Sequence, residues 1–223
     1  MLDRIKKLSL LYAEDSISNR RHLHSHPELS YQEYNTAKFV AEKLKSFGLK
    51  PTEGVAGTGV VVLIEGKNPT KKTIALRADM DALPIQEITT ASYKSQNPGV
   101  MHACGHDVHT SSLLGTAKIL SEIRTEFEGS VKLIFQPGEE KNPGGASMMI
   151  KEGVLDNPKP QSIIGQHVMP LVPVGKVGFR EGMYMASSDE IYLTVIGKGG
   201  HGAAPELAID PVVIASHIII ALQ

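Results

Sequence analysis

Ser130-Val131-Lys132-Leu133-Ile134-Phe135-Gln136-Pro137-Gly138-Glu139-Glu140 reads as an apolar strand that leaves through Pro-Gly onto two adjacent carboxylates. Working outward, Leu113 to Ile123 repeats apolar residues at helical spacing (Leu113, Ala117, Leu120), and Ala146 to Lys151 starts a second helix that stops at Gly153. Further strands are expected at Gly59–Gly66, Thr73–Pro84 and Ser162–His167, with a helix over Thr36–Phe47 stopped by Gly48. Strands alternating with helices predict an α/β sheet covered on both faces. Asp79, Asp81, Glu139, Glu140 and His167 all fall where strands end, the edge at which open α/β sheets bind ligands.

A chain of 223 residues, 41% hydrophobic and 21% charged, is long enough to bury a substantial core. A formal net charge of −1 supplies no field for nucleic acid or an anionic membrane. No apolar run approaches the roughly 20 residues that span a bilayer. Met1 to Lys7 reads as the start of an amphipathic helix without a signal-peptide core behind it. The single cysteine excludes an internal disulfide and suits a reducing compartment, so the expected location is the cytoplasm. Residues 1 to 19 are read as a helix, and His22, His24 and His26, ahead of Pro27, as a structural loop rather than a metal tract.

The pattern changes near residue 180, and the domains are set at 1–183 and 184–223. Ser188 to Gly200 alternates like a strand and turns on glycine; Asp210-Pro211 then opens an apolar helix, Val212 to Leu222. One strand and one helix bury little. The second unit therefore reads as incomplete and the sequence as a fragment.

Met101-His102-Ala103-Cys104-Gly105-His106-Asp107-Val108-His109 holds the only cysteine and three of the nine histidines. In extended backbone, Cys104 and His106 point the same way and reach one metal. Thiolate, imidazole and carboxylate suit zinc, and accept manganese, cobalt or nickel. Glu139 and Glu140 repel one another unless a cation lies beside them; one then binds metal while the other takes a proton from water. His167 would complete the set, with Asp79 and Asp81 as acceptors behind a metal-bound histidine. The bland alternatives are an inert buried cysteine, a solvated acidic pair and a core histidine.

These residues resemble the aminoacylase and carboxypeptidase type family of metal-dependent peptidases. The nearest branch is that of hippurate hydrolase, N-acyl-amino-acid amidohydrolases and auxin-conjugate hydrolases. The likeness runs through Arg21–Leu29, Leu76–Pro84, Met101–Asp107, Gln136–Glu140, Gln166-His167 and Gly197–Pro205. It implies a helix-covered mixed sheet followed by the start of a small α+β lid and dimerisation domain. It implies one or two divalent ions (Zn, Mn, Co or Ni) on Cys104, His106, Glu140 and His167. Glu139 would be the general base, Asp81 a supporting group and His201 a substrate contact. Where the wider family has His-x-Asp, this chain has Asp79-Met80-Asp81, as its cysteine branch does. The implied substrate is an N-acyl amino acid and the implied partner a second copy bound through the lid. The family's last metal histidine lies beyond residue 223, and His217 matches no such motif, so the chain is expected to be inactive or badly impaired as it stands. The alternatives are a dipeptidase or N-acetyl-diaminopimelate-type deacetylase on the same scaffold, a non-catalytic metal-binding protein, and a hydrolase with Cys104 as nucleophile.

Overall fold

The computed structural model describes residues 1–187 and 189–223. They divide into two compact units, Met1–Leu171 and Val172–Gln223, a boundary that follows the last segment paired with the sheet. The sequence reading set it at 183/184.

In the first unit the central strand is β4 (Ser130–Gln136), buried along its whole length. Its side chains alternate with the period of two that pleating imposes. Val131, Leu133 and Phe135 enter one core and Ile134 another. Lys132 shares the Ile134 face and is kept there by donating from Nζ to the Val154 carbonyl at 2.7 Å. Antiparallel β2 (Gly59–Glu65) flanks β4 on one side and carries antiparallel β1 (Thr52–Val55) on its outer edge. Parallel β3 (Thr73–Asp79) flanks it on the other, with parallel β5 (Ile163–Gly165) beyond. The sheet is thus mixed, with the order β1-β2-β4-β3-β5.

Two helices, α3 (Tyr34–Ser46) and α4 (His106–Glu122), bring Val40, Leu44, Leu114 and Ala117 onto Val60, Val62, Leu133 and Phe135. On the opposite face α5 (Gly145–Lys151) brings Met149 to Ala75 and Ile134. Because β3, β4 and β5 run the same way, their C-terminal ends meet at one edge, and α4 begins there.

Several local expectations need correction. Residues 1–25 form two helices, α1 (Leu2–Leu11) and α2 (Ala13–Ser25), so His22 and His24 are helical rather than in a loop. The helix stops at Ser25 because His26 precedes Pro27, and a residue before proline is pushed out of the helical region. β1 went unread because four residues, three of them exposed, with a left-handed Gly54 carry no periodic signal. α4 begins seven residues before the first strongly periodic position, on His106. The stretch from Ser188 to Gly200 starts on a residue outside the described ones. Its described part forms no ladder, only a bridge between Lys198 and Ile209.

In the second unit the expected helix is α6 (Pro211–Leu222), capped by Asp210, whose carboxylate accepts from the Val212 and Val213 amides. None of its residues is buried.

Candidate metal centre

The site grows from the C-terminal edge of the sheet. β4 ends at Gln136 and turns through Pro137 and Gly138, which has φ +54°. A Cβ on Gly138 would lie 2.2 Å from the Tyr31 ring, so only glycine lets the chain pass Tyr31 and present Glu139 and Glu140. β3 ends at Asp79, and Asp81 follows two residues later, with both carboxylates buried. His167 lies two residues beyond β5 and is exposed.

Cys104 and His106 do converge, but not through an extended backbone. Gly105 takes φ +90° as the cap residue of α4, and His106 is the helix's first residue. That left-handed turn replaces the two-residue alternation the sequence suggested.

Cys104 Sγ lies 3.3 Å from His167 Nε2. Candidate ligand atoms of Cys104, His106 and His167 lie within 4.8 Å of one another, as do those of His106, Glu139 and Glu140. His106 is common to both groups. Its Nδ1 donates to Asp81 Oδ1 at 3.2 Å, leaving the Nε2 lone pair turned toward Glu140 Oε1 at 3.7 Å and Glu139 Oε2 at 3.8 Å. Asp81 is held in turn by the Ser30 hydroxyl at 2.6 Å and the Glu140 amide at 2.9 Å, both on Oδ2. His167 commits Nδ1 to the Val168 carbonyl at 2.7 Å, which also directs Nε2 inward.

His106 Nε2 and Glu140 Oε1 are both shut off from solvent and have no hydrogen-bond partner. An unpartnered lone pair facing an unpartnered carboxylate oxygen is costly inside a protein. A divalent cation held by these residues would satisfy both. Sulfur, two imidazoles and a carboxylate form a donor set for zinc or a similar transition ion. The residues therefore fit a metal.

Electrostatics agree with that fit. Burial first, then the negative field of Glu140, Glu139 and Asp79, pushes the Cys104 thiol up to about 12. A thiol held neutral in this way is a poor nucleophile, which argues against the cysteine-nucleophile alternative. Burial and neighbouring Glu140 raise the Glu139 carboxyl above the usual range. Burial opposes the charge on His106, yet the hydrogen bond to Asp81 and the surrounding carboxylates raise its pKa overall. Asp79 lies at about 2 because the His109 hydrogen bond and the Arg77 guanidinium outweigh its burial.

Beside Cys104 and His167 opens a cavity of about 520 Å³, walled by Ala91, Tyr93, Met101, Val108, Val168 and Met169 with Arg20 and His102. His24, exposed to only 5%, sits at its edge between Asp107 Oδ2 at 2.8 Å and Glu87 Oε1 at 3.3 Å. This network and His109 escaped the sequence reading. The signal for His109 was its three-residue offset from His106, which places both on one face of a helix. His201 belongs to the second unit, where it is exposed and its Nδ1 accepts from the Ala203 amide at 3.1 Å.

A buried hub of imidazole and carboxylates at the edge of a mixed α/β sheet defines a metallopeptidase-like class. Residues 75–220 match the model of peptidase family M20/M25/M40, and the chain belongs to that family. It is 47% identical over 221 residues to an N-acyl-L-amino acid amidohydrolase of Geobacillus stearothermophilus, covering 99% of this chain and 59% of that protein. It is 49% identical over 204 residues to the hippurate hydrolase of Campylobacter jejuni, covering 92% and 52%. Among solved structures, the YXEP protein of Bacillus subtilis, described as a dinuclear metal-binding peptidase, superposes with a TM-score of 0.72. The identity there is 43%, over 77% of this chain and 48% of that one. The chain spans about half the length of the curated relatives it matches.

Proposed function

We propose that this chain carries the metal-binding half of an amidohydrolase acting on N-acyl amino acids. The observation that carries the reading is the facing pair of unpartnered buried atoms, His106 Nε2 and Glu140 Oε1, beside Cys104 and His167. These four residues would hold one or two divalent ions. When bound, such an ion supplies polarisation of an amide carbonyl and a water more acidic than bulk water.

Within that frame the chain's own groups have separate tasks. Glu139, half exposed and adjacent to Glu140, takes a proton from the attacking water and passes it to the departing nitrogen. Amide and water give a carboxylic acid and a free amine. Asp81 fixes the orientation of His106 and touches no reacting atom. The cavity beside Cys104 and His167 receives the acyl group; its largely apolar wall and its volume, within the roughly 300–1,000 Å³ range of ligand pockets, favour this assignment. The relatives named as amidohydrolase and hippurate hydrolase support the substrate class.

The test measures bound metal and hydrolysis of N-acetyl and N-benzoyl amino acids, before and after chelation and readdition of zinc or manganese. Glu139→Gln is expected to retain metal while any hydrolysis falls about 100-fold or more. A chain that binds no divalent ion would end the proposal. Metal binding with hydrolysis indifferent to Glu139→Gln would remove Glu139 as the proton carrier, and metal binding with no hydrolysis in the complete protein would favour a non-catalytic metal-binding protein.

A further inference from the structure

We propose that His109 is the positioning residue that holds His167 opposite Cys104; the inference rests on the metal-centre reading above. His109 is exposed to only 1%, and both of its ring nitrogens are engaged. Its Nδ1 meets Asp79 Oδ1 at 2.6 Å. Its Nε2 accepts from the Val168 amide at 2.9 Å. An amide can only donate, so Nε2 carries a lone pair and Nδ1 carries the proton given to Asp79. Asp79, His106 and His109 are close enough to suggest a metal group of their own. With both nitrogens committed, His109 has no lone pair left for an ion.

The bond to Val168 falls where the backbone needs it. β5 pairs with β3 only through Ile163, Ile164 and Gly165, so the ladder has ended before His167. The His109 contact is what ties the next backbone amide to α4. Asp79 is anchored behind it: Arg77 Nη1 donates to Asp79 Oδ2 at 2.6 Å, and Arg77 Nε donates to Gln136 Oε1 at 2.8 Å. One relay therefore crosses from β4 through β3 and α4 to the residue beside His167. Gly105 closes the arrangement from the other side. A Cβ there would stand 2.3 Å from Val168 Cγ2, so Val168 packs directly on the turn that carries Cys104 and His106. Fixing Val168 fixes the imidazole one residue earlier, 3.3 Å from the Cys104 sulfur.

The experiment titrates the reduced 223-residue chain with Co²⁺ and follows thiolate-to-cobalt absorption, which needs no turnover. His109→Phe is expected to lower Co²⁺ affinity about 10- to 100-fold, the usual consequence of removing a group that orients a ligand. His109→Gln, whose amide oxygen can still accept from Val168, is expected to recover most of that loss. In a His167→Ala background, His109→Phe is expected to change affinity less than about twofold, because the ligand it positions is already gone. Wild-type affinity in His109→Phe, or losses that multiply in the double variant, overturns the proposal. Should neither His109→Phe nor His109→Leu keep a cooperative thermal transition, the role is purely structural and the proposal also falls. A wild-type chain that binds no Co²⁺ would instead sink the metal-centre reading itself.

Discussion

β4 and α6 are both strongly apolar, yet every residue of β4 is buried and no residue of α6 is. Leu133 is exposed to 0%, while Ile219 is exposed to 63% and Ile220 to 72%. In Met1–Leu171 a sheet has helices on both faces, so the apolar side chains of its central strands meet a second layer. In Val172–Gln223 the described residues form one helix, a 3₁₀ turn and a single bridge. Apolar sequence specifies a surface to be covered, and a core exists only where a second element covers it. The candidate centre follows the same division. Its charged and unpartnered groups are tolerated at an edge where three strands and a helix are already locked, as the positioning of reactive groups requires.

Native-state hydrogen exchange tests this contrast most sharply. Amides of β4 are expected to exchange only through global opening. Those of α6, a 12-residue helix with no buried residue, are expected to exchange on the order of 10³-fold faster or more. Equal protection in the two would break the comparison. Next in size, Leu133→Ala is expected to destabilise the first unit by about 2–5 kcal/mol in urea unfolding. Ile219→Ala is expected to stay within about 0.5 kcal/mol.

A pH titration of metal binding sharpens the same contrast within the first unit. The Cys104 thiol, at about 12, is protonated at neutral pH, so binding an ion expels that proton. Apparent affinity therefore rises with pH, about tenfold per unit while the thiol remains protonated. The slope steepens toward acid, where His106, its pKa raised, also releases a proton. A flat profile by isothermal calorimetry would show that Cys104 does not bind as thiolate. The smallest effect is expected in the second unit. Asp210→Ala removes the side-chain cap at the start of α6 and should cost about 0.5–2 kcal/mol of helix stability, read as lost helical circular dichroism.

Much of the scaffold was legible because it is written in local periods. β2, β4 and α3 lie within a few residues of their expected positions, since alternation and helical spacing survive in any context where one face is buried. The start of α4 was not legible. His106, Asp107, His109 and Thr110 are polar and buried, and polar residues gathered at a site hide the helical apolar stripe. His24 was misplaced for a related reason: its reading leaned on Pro27, while its burial depends on Asp107 and Glu87, 83 and 63 residues away.

By itself, the amino-acid sequence determined the alternation of strands and helices, the capped start at Asp210, and the chemistry on offer: one sulfur, imidazoles and paired carboxylates. Only the tertiary structure decided that β3 and β5 run parallel to β4, that Gly105 turns Cys104 toward His106, and that His109 reaches across to Val168. Local periodicity reports which face of an element is apolar. Which ends of distant elements meet depends on strand order and long-range hydrogen bonds, and no short stretch of chain contains those.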